Sequence, residues 1–146
     1  MRPYLIYLVL LLLCFNVKAQ FHLDESVEYT EFTSVDSLIK FWKSHPEEVD
    51  DLVGVYEFLT TNEPVRSTIS YVLGVKKENE VYKIIMLGGK YGDKDVGKGG
   101  IKAIVQKTPT DEIYNMRWRM ADATYIEKGY IIKEGLTITV HLSKYP

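Results

Sequence analysis

Between Leu52 and Leu142, short segments of alternating apolar and polar residues are separated by turn residues, and this period of two favours β structure. Along Ser67–Lys76 one face carries only apolar residues, namely Ile69, Tyr71, Leu73 and Val75. Val81–Leu87 is apolar on both faces, which predicts a central strand. The other five segments are Val53–Leu59, Ile101–Gln106, Tyr114–Met120, Tyr125–Lys133 and Leu136–Leu142. Seven strands with short turns predict a mainly β fold, an antiparallel meander that forms an open or closed barrel.

One helix is predicted before the strands. Apolar residues recur there at helical spacing, at positions Val35, Leu38, Ile39 and Trp42. Thr33 or Ser34 can cap its first turn. Pro46 ends it, because the residue before a proline avoids helical backbone angles. We expect this N-terminal helix to cover one end of the barrel.

The first residues have the pattern of a secretory signal peptide. Arg2 supplies a positive charge, an apolar run from Tyr4 to Phe15 follows, and Val17 and Ala19 stand where signal peptidase reads the chain. The run is shorter than the roughly 20 apolar residues that span a bilayer. We therefore predict cleavage after Ala19 and a secreted or periplasmic protein with no membrane span in its mature chain.

The predicted mature chain divides into a flexible acidic arm, residues 20–33, and a single domain, residues 34–146. The one cysteine, Cys14, lies in the predicted signal peptide. Disulfides and cysteine-ligated zinc are therefore not expected in the mature chain.

Charge is distributed unevenly along the chain. Residues 20–65 hold 11 acidic residues against Lys40 and Lys43, whereas residues 66–146 hold 14 basic residues against 9 acidic ones. One interpretation is that the acidic N-terminal segment covers part of a basic sheet. The other is that a basic face is kept for an anionic ligand.

The glycine-rich stretch at 88–100 contains the spacing of a phosphate-binding loop, from Gly92 to Gly97 and Lys98. Such a loop needs a Ser or Thr after the lysine and a helix beyond it. Gly99 occupies the Ser/Thr position, and an alternating, strand-like segment follows. Asp93 and Asp95 likewise lack the further ligands of an EF-hand loop. We interpret the stretch as a long connection between two strands and expect no nucleotide, no metal and no cofactor.

Two groups of residues on one predicted strand and its neighbours are candidates for ligand binding. Met116 and Trp118 share a face that suits either a packed core or a cavity lining, and Tyr114 and Tyr71 extend it. Arg117 and Arg119 project from the opposite face, near Lys102 if the strands pair in order. Two arginines on one face can hold a carboxylate or a phosphate.

Two resemblances can be stated from short motifs. Gly54-Val55-Tyr56 after a helix looks like the start of calycin-type barrels, with Tyr56 in place of their Trp. Phe41–Leu142 also resembles a small β domain of secreted Bacteroidetes proteins, found alone or beside trypsin-like or caspase-like peptidase domains. The motifs of the second resemblance are Gly54–Glu57, Tyr82–Ile85, Gly100–Ala103 and Met116–Asp122. It implies a non-enzymatic accessory module.

No catalytic residues are predicted, and a net basic domain or known nucleic-acid module is missing. We expect a secreted, non-enzymatic binding or accessory module that recognises a peptide, a glycan or a small apolar ligand. The alternative is an interaction or inhibitor domain that docks on an extracellular protein. A third hypothesis is a hydrolase that uses His141 with a nearby carboxylate; nucleic acid is not an expected partner.

Overall fold

A computed structural model describes residues 28–59, 69–91, 93–120 and 124–143. The predicted signal peptide and the beginning of the predicted arm lie outside the described residues. Helix α1 and a short 3-10 turn are followed by eight strands. Their bounds are α1 Val35–Ser44, turn Pro46–Glu48, β1 Gly54–Leu59, β2 Ile69–Glu78, β3 Val81–Tyr91, β4 Lys94–Asp95, β5 Ile101–Lys107, β6 Ile113–Arg119, β7 Tyr125–Glu134 and β8 Thr137–His141.

The strands form one antiparallel meander. Their spatial order is β1-β2-β3-β5-β6-β7-β8, and the two-residue β4 pairs only with β3. The seven long strands make a nearly closed barrel, which confirms the predicted fold class. Register shifts interrupt the β2–β3, β3–β5 and β6–β7 pairings. Such bulges bend and twist strands, which helps a sheet to curve into a barrel.

One end of the barrel is packed with side chains. Leu52 is buried there just before β1, and the rings of Tyr82 and Tyr114 meet edge to face at 5.8 Å. The Tyr82 hydroxyl donates to Asp50 Oδ2 at 2.7 Å, and Lys77 forms an ion pair with the same carboxylate. Burial alone would raise the pKa of Asp50. Hydrogen bonds from Tyr82, Lys77 and the Leu52 N–H have the opposite effect and outweigh it, so the pKa lies below its usual range. This end therefore leaves little room for a ligand.

Helix α1 begins as the sequence predicts. Ser34 is its N-cap, and the side chains of Ser34 and Ser37 accept hydrogen bonds from each other's backbone N–H groups. The structure adds where the helix lies. Leu38, fully buried, packs with Ile85 and Leu87 of β3, and these side chains belong to a cluster separate from the barrel core. The helix thus covers the outer face of β2 and β3, and not an end of the barrel as expected from the sequence, because the outward-facing apolar residues of β3 need a cover.

Gly74 of β2 permits this close approach. A Cβ at Gly74 would lie 2.2 Å from Leu38 Cδ1 and 2.9 Å from Leu87 Cδ1, both well inside van der Waals contact. Any side chain at this position must push the helix away from the sheet or displace Leu38. The spacing between helix and barrel therefore depends on the missing side chain.

Residues 28–33, the described part of the predicted acidic arm, contact the barrel and helix α1. Thr30 N donates to Gly99 O at 2.8 Å, Ile101 N donates to Glu28 O at 3.0 Å, and Phe32 is buried beside α1. Their pairing is a single bridge, between Tyr29 and Gly100, and one bridge leaves no periodic pattern in the sequence.

The acidic N-terminal segment neutralises part of the sheet. Ion pairs join Glu28 to Lys83, Glu48 to Lys76 and Asp50 to Lys77. These contacts support the first interpretation of the uneven charge for the lysines of β2 and β3. Within the described part of the chain, no helix has the length and apolar character to cross a membrane.

We predict that Gly74→Ala destabilises the protein by about 1–3 kcal/mol, the usual cost of overpacking a tight contact. The matched control is Gly88→Ala in β3, where an added Cβ meets no atom within 4 Å. Urea unfolding measures both changes. Equal unfolding midpoints for the two variants would contradict the proposed tight helix–sheet contact.

Candidate functional site

A cavity of about 250 Å³ lies at the other end of the barrel, where β6 finishes and β2 and β5 begin. We call this the cavity end. Its walls are mostly apolar or aromatic, and two basic side chains, Lys102 and Arg119, contribute to its lining. The remaining lining residues are Tyr29, Tyr71, Met86, Val96, Gly97, Gly100, Ile101 and Met120.

A bulge in β5 explains why a lysine lies here. Ile84 pairs with Ala103, but the next residue, Ile85, pairs with Ile101, so Lys102 is left without a partner in the ladder. Regular alternation would turn Lys102 away from the barrel core. Its Nζ instead lies 5.0 Å from the centroid of the Trp118 ring and 5.4 Å from that of Tyr71.

Both of these rings belong to the barrel core, since Trp118 is 3% exposed and Tyr71 is 8% exposed. The bulge therefore directs the ammonium of Lys102 onto two core aromatic rings. A cation over an aromatic face is attracted by the negative electrostatic potential of the ring, which partly offsets the loss of hydration.

The electrostatic environment of Lys102 is unfavourable for its charged form. Burial, together with the positive charge of Arg119, lowers the pKa of Lys102 from an ordinary 10.5 to about 8. Among the residues that the structure describes, no carboxylate forms an ion pair with Lys102 or with Arg119. The cavity end thus combines two neighbouring cations with no acidic counterpart in the described chain.

The glycine-rich segment forms part of one wall of this cavity. Gly88–Tyr91 extend β3, and Lys94–Asp95 pair back onto Lys90–Tyr91. Gly99 N donates to Met86 O at 2.7 Å, and Met86 N donates to Gly100 O at 2.9 Å.

After Lys98 the chain enters strand β5 and not a helix, so the second requirement of a phosphate-binding loop is not met. Val96 and Gly97 line the cavity, and a Cβ added at Gly100 would lie 3.6 Å from the Tyr29 ring. The segment therefore connects two strands, as predicted, and also borders the cavity.

The structure divides the six predicted ligand-binding residues into two groups. Tyr71 and Arg119 line the cavity, and Trp118 borders it through its contact with Lys102. Tyr114 packs against Tyr82 at the opposite end, and Met116 is buried in the barrel core.

Arg117 and Arg119 have different contacts, because Arg117 interacts with neighbouring side chains outside the cavity. Its guanidinium donates to Glu127, with Nε to Oε1 at 2.7 Å, and stacks on Tyr125 with 4.4 Å between Cζ and the ring centroid. Arg117 is therefore already paired, and only Arg119 of the two arginines is placed to meet a ligand in the cavity.

Lys102 was named from the sequence only as a neighbour of the two arginines, and not as a binding residue itself. Alternation along Ile101–Gln106 assigns it to the polar face with the arginines, and a bulge has no reliable signature in a single sequence. The only signal was the pair of glycines before the strand, because glycine marks many irregular strand starts.

His141 does not have the surroundings of a general base. Its ring stacks on Tyr130, with centroids 4.5 Å apart and planes 8° from parallel. In the described ranges no carboxylate forms a hydrogen bond or ion pair with it. The third hypothesis, a hydrolase that uses His141, gains no support from this arrangement.

Exposed apolar side chains are scattered over several elements. Those most exposed are Tyr29, Ile39, Val49, Val55, Tyr130, Leu136 and Leu142, which lie on the arm, the helix and both ends of the strand order. Single exposed apolar residues are normal on soluble proteins. Among the described residues, these exposed side chains lie on several different elements and do not by themselves define a docking surface for the interaction-domain alternative.

The fold and the cavity together define a small barrel with one packed end and one end that carries a cationic, aromatic cavity. No protein-family model, curated protein or solved structure matches this chain. The two resemblances drawn from its motifs stay predictions.

We predict that Lys102→Met stabilises the protein at pH 7 by about 1–2 kcal/mol, because it removes a poorly solvated charge. The folded pKa lies below the unfolded one, so the penalty is present below pH 8 and disappears as the pH rises towards 10.5. The gain should shrink over the same range. Urea unfolding at pH 7 and at higher pH measures it.

The matched control for this prediction is Lys107→Met, at an exposed position of the same strand. It should change stability by less than about 0.5 kcal/mol, as surface substitutions usually do. Destabilisation by Lys102→Met at pH 7 would show that the lysine is a structural support of the barrel.

Proposed function

We propose that this protein is a secreted, non-enzymatic binding module. Its ligand is a small carboxylate with an apolar or aromatic body, held in the cavity that Lys102 and Arg119 line. One observation carries the proposal. Lys102 and Arg119 lie together at a cavity whose other lining residues are mostly apolar or aromatic, and neither forms an ion pair with a carboxylate that the structure describes.

Two neighbouring cations repel each other, and burial makes their charges costly. A fold retains such an arrangement at a cost in stability unless something compensates it. The ion pairs of Lys76, Lys77 and Lys83 show that the chain has acidic partners for other lysines of the sheet. An anion from solution would give Lys102 and Arg119 the partner that no described carboxylate supplies, and this supports the second interpretation of the uneven charge at this site.

The walls of the cavity define the rest of the ligand. Tyr71, Met86 and Met120 offer aromatic and thioether surface, and Val96 and Ile101 offer aliphatic surface. The volume of about 250 Å³ lies just below the roughly 300–1,000 Å³ of common ligand pockets. A compact molecule with one acidic group and one apolar part fits this description better than the uncharged apolar ligand suggested by the sequence.

The location belongs to the same proposal. The pattern of residues 1–19 predicts export, and the resemblance to accessory domains of secreted proteins is consistent with a binding role outside the cytoplasm. Both support a module that meets its ligand in an extracellular or periplasmic space.

Calorimetric titration with benzoate tests this proposal, with benzyl alcohol and inorganic phosphate as comparison probes. Benzoate should bind more tightly than either, because only benzoate has both a charge and an apolar body. Lys102→Met and Arg119→Gln should each weaken benzoate binding by about tenfold or more, about 1.4 kcal/mol. Affinity should fall as the pH rises through about 8, where Lys102 loses its charge.

Arg117→Gln is the matched control, because Arg117 is paired with Glu127 outside the cavity lining. It should leave benzoate affinity within about twofold, an energy of less than 0.5 kcal/mol on the usual scale. Equal binding of benzyl alcohol would instead support the uncharged apolar ligand. The carboxylate site would be contradicted if benzoate does not bind, or if Arg117→Gln weakens benzoate binding as much as Lys102→Met and Arg119→Gln do.

A further inference from the structure

Lys102 has the surroundings of a lysine that acts as a nucleophile. Its amine lies over Trp118 and Tyr71, beside Arg119, and at the surface of a cavity that a small molecule can occupy. Lysines become nucleophilic when a hydrophobic environment or a second cation disfavours their protonated form. Both conditions are met at this one position.

We propose that the amine of Lys102 captures small aldehydes or ketones that carry a carboxylate, and holds them as a reversible imine inside the cavity. This inference rests on the carboxylate site proposed above. Arg119 would hold the carboxylate, since a guanidinium can bind both carboxylate oxygens, and Lys102 would meet the carbonyl carbon.

The reaction balances without any added oxidant or reductant. The neutral amine attacks the carbonyl carbon, a C–N bond forms, and the C=O π electrons move to oxygen. Oxygen gains a proton while nitrogen loses one, which gives a carbinolamine. Its hydroxyl takes up a proton from solvent and leaves as water while the nitrogen lone pair forms the C=N bond, and the resulting iminium returns a proton to solvent to give the imine. Water reverses the same steps, so the captured molecule can be released.

The pKa of about 8 supports this chemistry, although the geometry carries it. At neutral pH an ordinary lysine with a pKa near 10.4 is almost entirely protonated. A much larger fraction of Lys102 is the free amine that the reaction needs. Lys107, which is exposed on the same strand, provides an internal comparison within the same molecule.

The test is reductive labelling of the purified protein with glyoxylate and cyanoborohydride, with rates read at each lysine by peptide mass spectrometry. Lys102 should be labelled at least about tenfold faster than Lys107 at pH 7, because more of its amine is neutral. The Lys102 rate should level off above about pH 8, where its amine is largely neutral. No variant is needed for this comparison, so a folding defect cannot obscure it.

Acetaldehyde, which lacks the carboxylate, separates this inference from the proposed function. Arg119→Gln removes a charge that lowers the pKa of Lys102, so it should slow labelling by both aldehydes, but labelling by glyoxylate should fall about fivefold or more beyond that by acetaldehyde, because only glyoxylate loses a partner for its carboxylate. Arg117→Gln should change neither rate.

If neither aldehyde labels Lys102 faster than Lys107, the proposed imine formation at Lys102 is wrong, even if benzoate binds. Fast labelling of Lys102 by acetaldehyde alone, with no benzoate binding, would overturn the carboxylate-bearing substrate class and the proposed function. Such a result would still leave Lys102 as a nucleophile.

Discussion

The burial of β3 on both faces is the constraint on which the rest of the structure depends. Ile84 and Met86 point into the barrel core, while Ile85 and Leu87 belong to the outer cluster. A strand with apolar residues on both sides needs a cover on each, and here the curved sheet supplies one and helix α1 the other. The close approach of Leu38 then requires a residue without a side chain at Gly74.

The same strand sets the geometry of the cavity through its pairing with β5. Between the Ile84 and Ile85 pairings, β5 advances by two residues, and the additional residue is Lys102. Because a bulge breaks the alternation of faces, a residue type suited to the polar surface lies over Trp118 and Tyr71. The stability of the barrel and the chemistry proposed for its cavity therefore conflict at one position. Functional sites commonly show such conflict between local fit and overall fold.

Much of the fold could be predicted because its signals are local. The helical spacing around Leu38 and the two-sided apolar strand at Val81–Leu87 depend on neighbouring residues alone, and the structure contains both elements. The predicted strand ends were less accurate. Strand β3 continues to Tyr91, because Gly88–Tyr91 pair with residues of β2. No sequence period predicted that pairing, since a glycine-rich stretch has no apolar face.

The candidate site was only partly predictable, for a different reason. Tyr71 and Arg119 were chosen as residue types that bind ligands, and the structure places both at the cavity. Tyr114 shares that residue type, but its position along its strand places it at the packed end with Tyr82. The orientation of Lys102 depends on a register shift between two strands, which is a property of the pair and not of either segment. Long-range pairing therefore decided which candidates came together.

The central claim is that Lys102 is a partly buried amine that borders a cavity and forms no ion pair with a carboxylate of the described residues. Its pKa in the folded protein tests this claim most directly, measured by the pH dependence of the ¹³C chemical shift of its ε carbon in labelled protein. We expect a midpoint of about 8 for Lys102, well below the value of an ordinary lysine side chain. A midpoint for Lys102 that coincides with those of the exposed lysines would contradict it.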